Sequence, residues 1–586
     1  MSNTFQTLKA AWPVLERALA SGQVLNPQCN MVPADPDIEA MYNVEIPLNE
    51  GFSLTANIFR SKVRSAAHVP DPVVMCAHPY DNRKIAALEG TPFGGPPQQY
   101  RLLPQSGGTP TFSTLTSWES PDPNFWVPAG YTLVNLNLPG FANSGGPASV
   151  LSRHQGQSYR EAITWVGNQN WCDGHVGLCG VSFLCISQYL AAATPVGETA
   201  PEALKCIIPW EGISDIYRDL ACRGGVEDIG FLDFWWKTEV SEALNVSMEE
   251  YIAVEGGIPL DAVKAHPFYD DYWKAKAPPL ENITVPMLLC ASFSDHELHT
   301  FGSFRAFEKA QSTQKWLYTH RSGKWTEFYK PEVLALQKDF MDQFLKGKST
   351  QFDDLKPVRI ETRSRVDEVK TVRWEPSWPL EGTKYVKLHL QDQAKLSDEP
   401  ASNASEASYD GTTGTLEFDY QFASDTEITG YLKLRVWVEA RAVEAQHTSP
   451  KDLIVCCFVD KIDHKNNVVR FYGSVGQDKD VVSRGYGRAS RRMLDAVASR
   501  DFNPVPLCAS DEFLKPKEVV PLDIALCPTS TFFHAGEKLR LTLSARDIVH
   551  APIFRKDTSA NSGRHVLHFG GAYDSHLMIP MVEPPN

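Results

Sequence analysis

The residues of this chain best placed to do chemistry begin with a serine. Ser182 lies in GLCGVSFLCISQYLAA (177–192), where Val176 and Leu178 form an apolar approach and Leu184, Ile186 and Leu190 follow at helical spacing. A serine on a tight strand-to-helix turn exposes its hydroxyl for attack on a carbonyl, and the N–H of the next residue, here Phe183, points at the developing oxyanion. Small neighbours permit so sharp a turn. Gly180 supplies one, whereas Leu184 stands where G-x-S-x-G has its second glycine. On the local pattern alone Ser182 reads as readily as an ordinary helix N-cap. The order of later residues favours catalysis. A serine of this kind is served by a carboxylate and then a histidine, each from the end of a later strand. VPMLLCASFSD ends its apolar run at Asp295 and QKWLYTH ends the next at His320. His320 is therefore the expected general base, and Asp295 the acid that orients it. SDHELH also offers His296, Glu297 and His299, but the two histidines directly follow the acid and are poor bases for a triad built on two strands. A metal site is not expected, because the HExxH spacing is absent and no converging cysteine or carboxylate set accompanies that run.

These residues need a scaffold, and the chain supplies one in segments. From about residue 40 to 350, β-rich runs such as FSLTANIF, PVVMCAHP, GYTLVNLNL, GHVGLCGVS and LKCIIPW alternate with helical stretches such as 155–168. Buried strands without polar alternation imply a mostly parallel α/β sheet. Between about 213 and 280 the texture is helical and aromatic-rich, with Phe231, Phe234, Trp235 and Trp236 close together. As separate residues they read as helical core; as a unit inserted between two strands they read as a cap that binds substrate over a site. After about 352, segments such as GTLEFDYQF, GYLKLRVWVEA and EKLRLTLSARD alternate apolar and polar, as in an all-β sandwich of jelly-roll type. The expected domains are thus 1–212 and 281–351 for the α/β part, 213–280 for the cap and 352–586 for the β-sandwich.

With 71 acidic against 56 basic residues and no basic cluster, nucleic acid is excluded as a partner. Twelve cysteines sit in apolar runs such as VVMCAH and IVCCFV, which implies reduced, buried thiols and a cytoplasmic setting. The N-terminal segment, with Leu8, Trp12, Leu15 and Leu19, reads as an amphipathic surface helix, and no apolar run is long enough to span a membrane. No nucleotide, metal or other cofactor motif is present, so none is expected. A homo-oligomer is compatible with the sequence.

Over nearly its whole length the chain resembles the cocaine esterase/NonD-like hydrolases, related to the Xaa-Pro dipeptidyl peptidases. The residues that carry the resemblance are YNVEIPLNEGFSLTANIFRS, MCAHPYDNRK, GYTLVNLNLPGFANSGG, GQSYREAITWVGNQNWCDGHVGLCGVSFLCISQ, GISDIYRDLACRGG, GYGRASRR and PLDIALCPTSTFFHAGEKLRLTLSARD. The resemblance implies an α/β-hydrolase domain with an inserted helical cap and a C-terminal jelly roll. It implies Ser182 as nucleophile, Asp295 and His320 as its partners, and the Tyr80 hydroxyl beside the Phe183 N–H in the oxyanion hole. The expected activity is a serine hydrolase cleaving a small-molecule carboxylic ester, or an amide, through an acyl-enzyme. Alternatives are an Xaa-Pro dipeptidyl peptidase, with Asp228, Asp233 and Glu239 as acids for a free peptide N-terminus, and a biosynthetic acyl transferase or cyclase with the same triad. Departures from the family pattern are Cys185 in place of a glycine, the absence of DxRG from NLNLPGFANSGG, and YTHRSGKW where GPWxH is usual.

Overall fold

The computed structural model describes residues 29–82, 106–195, 197–443, 450–475, 477–549 and 553–583, so the expected N-terminal helix lies outside the described residues. The N-terminal half is built on eight strands: β1 (Ile38–Pro47), β2 (Ser53–Ser61), β3 (Asp71–His78), β4 (Thr132–Asn137), β5 (Cys172–Val181), β6 (Leu204–Trp210), β7 (Met287–Ser292) and β8 (Lys315–His320). Their pairings run β1-β2-β4-β3-β5-β6-β7-β8, antiparallel on both sides of β2 and parallel from β4 onward. Every residue of β3, β4 and β7 is buried. Helices cover both faces of such a sheet, which is why these strands read as unbroken apolar runs. Helix Arg153–Gly167 starts at Ser152, whose hydroxyl and the Gln155 side chain form a capping box. Helix Pro331–Lys346 has proline in its first turn and stops at Gly347 in the left-handed region.

The segment between β6 and β7 is helical, as expected, with helices at Phe231–Trp235, Met248–Glu255, Pro259–Ala265 and Asp271–Lys276 and wider turns at Tyr217–Ala221 and Trp236–Val240. Beyond residue 358 the strands are mostly antiparallel. Strand Thr426–Arg441 pairs with Val520–Phe533, and Ile454–Ile462 lies between Ser483–Arg488 and Lys538–Ser544. Leu432, Leu434, Val436, Leu541 and Leu543 belong to a core of their own. The two halves are joined edge to edge, because Val358–Arg365 pairs in parallel with β8. All twelve cysteines are buried free thiols. Among the described residues no helix is long and apolar enough to cross a membrane.

The helical segment also touches the C-terminal strands directly. Ile229 N–H donates to the Arg555 carbonyl and Asp557 N–H to that of Glu227, both at 2.8 Å. Gly224, at φ +64°, faces the Tyr486 carbonyl so closely that a Cβ would lie 1.9 Å from the oxygen. Gly224→Ala therefore combines backbone strain with a clash between the two parts. We expect a loss of about 1–3 kcal/mol in unfolding free energy, read from the midpoint of chemical denaturation.

Candidate active site

β5 delivers Ser182 at φ 61°, ψ −114°, a conformation that costs a non-glycine residue energy and must be held by its surroundings. The Ser182 N–H is held by two carbonyls where β6 ends, Trp210 at 3.0 Å and Glu211 at 3.1 Å. The side chain makes no capping hydrogen bond to its helix. Instead Ser182 Oγ lies 3.2 Å from His299 Nε2. Phe183 opens helix Phe183–Ala192, so its N–H is one of the donors that no helical carbonyl can satisfy. Leu184 and Cys185, where small residues were expected, are accommodated by glycines opposite them. A Cβ on Gly180 would lie 2.6 Å from Leu184 Cβ, and one on Gly212 would lie 2.5 Å from Cys185 Sγ.

The histidine at Ser182 is His299, which corrects the expectation of His320. After β7 the chain turns tightly, with the N–H groups of Leu298, His299 and Thr300 all directed at the Asp295 carbonyl. The turn brings residues 295 and 299 side by side, and His299 Nδ1 lies 2.5 Å from Asp295 Oδ2. His320 does end β8, but its Nε2 lies 2.9 Å from Glu211 Oε1 and its Nδ1 accepts the Ser322 N–H at 3.1 Å. Both ring nitrogens are thus occupied away from Ser182. His296, the other rival, meets Asp480 at 2.9 Å. The i,i+4 spacing of Asp295 and His299 was visible in the sequence, and the two-strand rule passed over it.

Burial pushes the Asp295 carboxyl up, but His299 and Lys324 outweigh it and hold the group below its ordinary value. Burial, then the Lys324 ammonium, push His299 down against the pull of Asp295. The resting imidazole is therefore neutral, and the proton between it and the carboxylate sits on Nδ1, leaving the Nε2 lone pair for the serine.

Ser182 and His299 open onto a pocket walled by Leu151, Ile186, Ile213, Ile216, Leu220 and Leu298. Of the four expected substrate-binding aromatics, Phe231, Phe234 and Trp235 line it. Trp236 does not; one residue further round the helix it is buried in the helical segment, its ring packed on Tyr251 with centroids 4.5 Å apart. Trp235 also donates its indole N–H to the Tyr80 hydroxyl at 3.1 Å and stacks on Phe183. Tyr80 lines the same pocket, its ring stacked on His78 and its N–H bound to His78 Nδ1. Burial raises the Tyr80 phenol well above its ordinary value, so it stays protonated. Of the acids considered for an amine, Asp228 binds Lys556 at 3.1 Å and Asp233 binds Lys237 at 2.8 Å, whereas Glu239 lines the pocket. Among the described residues, the grouping able to hold a metal ion is Glu211, Cys290 and His320, whose ligand atoms lie within 4.8 Å of one another. Both Glu211 oxygens are already engaged, by His320 and by Ser292.

Residues 50–326 match the family model of the X-Pro dipeptidyl-peptidase (S15 family), and residues 350–578 that of the X-Pro dipeptidyl-peptidase C-terminal non-catalytic domain. The chain is similar to cocaine esterase of Rhodococcus sp. (strain MB1 Bresler), 20% identical over 621 residues that cover 94% of this chain and 100% of that one. Among solved structures, a CocE/NonD family hydrolase from Staphylococcus aureus is 31% identical with a TM-score of 0.81, covering 95% of this chain and 99% of that one. The chain belongs to the CocE/NonD hydrolase family. An α-amino acid ester hydrolase, 15% identical over 94% of this chain and 98% of that one with a TM-score of 0.66, shares the fold.

In this CocE/NonD hydrolase the C-terminal domain reaches the loop that carries Asp295 and His299. His296 is held by Asp480, and Glu297 is bound by Arg484, by the Tyr486 hydroxyl at 2.5 Å and by Lys556 at 3.3 Å. From the helical segment, Arg223 donates to the His296 carbonyl and Asp228 shares Lys556. Burial alone would raise the Glu297 carboxyl; Lys556, Arg484 and Arg223 overcome it and keep the group ionised. Removing one partner from so buried a network leaves a charge without compensation. Arg484→Met should therefore cost about 3–5 kcal/mol in unfolding free energy by chemical denaturation, and the turnover of the folded fraction should fall with it.

Proposed function

We propose that this chain is a carboxylic-ester hydrolase acting through an acyl-enzyme on Ser182, with His299 as general base and Asp295 as the acid that orients it. The observation that carries the reading is the hydrogen-bonded series Ser182 Oγ, His299 Nε2, His299 Nδ1 and Asp295 Oδ2 at the mouth of an apolar pocket. His299 takes the proton as Ser182 Oγ attacks the ester carbonyl, and Asp295 stabilises the imidazolium. The negative charge that forms on the carbonyl oxygen is met by the Phe183 N–H and the Tyr80 hydroxyl. Trp235 donates to the Tyr80 oxygen and so leaves the phenolic proton for the oxyanion. The imidazolium protonates the leaving alcohol, and water, deprotonated by the same histidine, releases the acid. No cofactor enters these steps.

The pocket walls favour a small-molecule ester with an apolar or aromatic portion. An ester is favoured over an Xaa-Pro peptide because Asp228 and Asp233 are committed to lysines, leaving Glu239 of the three acids facing the pocket. In this reading residues 213–280 act as the cap, and the C-terminal strands form a jelly roll whose contribution is to hold the 295–299 turn.

A fluorophosphonate probe should label the wild-type protein and fail on Ser182→Ala and His299→Gln, while His320→Gln keeps its labelling. Loss of labelling in His320→Gln with retention in His299→Gln would reverse the assignment of the base. On aryl esters, His299→Gln should lower turnover by about 10⁶ and Tyr80→Phe by about 10²–10³. Near-normal turnover in Tyr80→Phe would remove that hydroxyl from the oxyanion hole. Aminoacyl-proline amides should be cleaved far more slowly than aryl esters; the opposite preference would make the protein a dipeptidyl peptidase.

A further inference from the structure

A third charged side chain reaches the histidine. Lys324 opens the short helix Lys324–Phe328 just after β8, and its side chain is almost wholly buried. Its Nζ lies 3.3 Å from His299 Nδ1, 3.6 Å from Asp295 Oδ2 and 3.8 Å from Glu119 Oε1. Nδ1 already gives its proton to Asp295, so it has no lone pair for the ammonium. The contact is therefore electrostatic, and it opposes the imidazolium that catalysis must form.

Glu119 lies on the other side of this ammonium. It is buried at φ 61°, its carbonyl accepts the Val181 N–H at 3.2 Å beside the serine turn, and its side chain lines the pocket. Oε1 accepts the Trp325 indole N–H at 2.7 Å, while Oε2 is buried without a hydrogen-bond partner. We propose that Lys324 and Glu119 form a positioning pair that sets how readily His299 takes the serine proton: the ammonium keeps the base unprotonated at rest, and the Glu119 carboxylate offsets that ammonium as the imidazolium forms. The inference rests on the assignment of His299 as base.

The charged and titratable groups around the pair act in stated directions. His299 is pushed down by burial and by Lys324 and pulled up by Asp295 and Glu211. Glu119 is pushed up to about 7, by burial and by Asp295 and Glu211, against Lys324 and the Trp325 N–H. The Tyr80 phenol, which Glu239 and Glu119 both disfavour ionising, stays neutral. Because the base works unprotonated, kcat/KM rises as pH rises through the lowered value of His299. A second rise follows near the value of about 7 at which Glu119 ionises and offsets Lys324.

The test is kcat/KM against pH for an aryl ester in the wild type, Lys324→Met, Glu119→Gln and the double variant, with fluorophosphonate labelling in parallel. Lys324→Met removes the cation, so the acid limb should move up by about one pH unit. Glu119→Gln keeps the Trp325 hydrogen bond and leaves Asp295 as the one carboxylate of the two against the ammonium. Its acid limb, which falls where wild-type Glu119 is already protonated, should stay in place, while its rise near neutrality should vanish and its plateau should fall about tenfold. The double variant should regain most of that plateau. If Lys324→Met does not fold, Glu119→Gln alone decides: a rise near neutrality and a plateau coincident with the wild type overturn the pair, whatever happens to stability. Absence of labelling in the wild type overturns the hydrolase reading instead, so the two failures are distinguishable.

Discussion

The site depends on one turn, residues 295–299, and that turn depends on charges buried between domains. Asp295 and His299 point toward Ser182, while His296 and Glu297 point the other way into Asp480, Arg484, Tyr486 and Lys556. A loop of five residues cannot hold an imidazole to within a few tenths of an ångström by its own backbone bonds. The opposing pull of the ion network is what limits its freedom. Buried ion pairs add little net stability compared with apolar packing, but they tolerate few alternative arrangements. Here that intolerance is spent on geometry: the C-terminal strands hold the turn from behind, and Val475 of the same domain lines the pocket.

The same logic accounts for His320. It ends β8 opposite Ser292 and is bound to Glu211, whose carbonyl in turn accepts the Ser182 N–H. Glu211 adopts φ 48°, so two strained residues lie side by side at the serine turn. Binding the Glu211 carboxylate from His320 on one oxygen and Ser292 on the other fixes the residue whose backbone supports the nucleophile. The histidine at the strand end thus supports the serine turn from below, while the imidazole that reaches Ser182 Oγ is that of His299.

This division explains what was legible in the sequence. Ser182 and Asp295 could be read because each follows an apolar strand whose end is sharp, and the sheet order follows from the same runs. The aromatic helices stood out by composition, although the sequence could not tell that Trp235 would support Tyr80 or that Trp236 would turn into the core. His299 was hidden by a rule that draws the base from a separate strand, though its spacing from Asp295 is that of one helical turn. Glu119 and Lys324 were not legible, since neither belongs to a motif and nothing in the spacing of either points to Ser182. Only the three-dimensional approach of residues 119, 182, 299 and 324 gives them a role. The ion network was equally out of reach, joining residues up to 328 positions apart.

Placing acid and base on one turn has a further consequence. In a triad drawn from two strand ends, the carboxylate and imidazole are fixed by separate loops, and their contact is sensitive to any shift between them. In the 295–299 turn they share a backbone, so Asp295 and His299 move together, and the distance left to control is that between the turn and Ser182. Two elements set it: the interdomain network behind the turn and Lys324 in front of it, the latter lying within 4 Å of both Asp295 and His299. A single ammonium against both members steadies the carboxylate and penalises the imidazolium at once. A second carboxylate nearby is then a requirement of the arrangement, and Glu119, 3.8 Å from the same nitrogen, occupies that place.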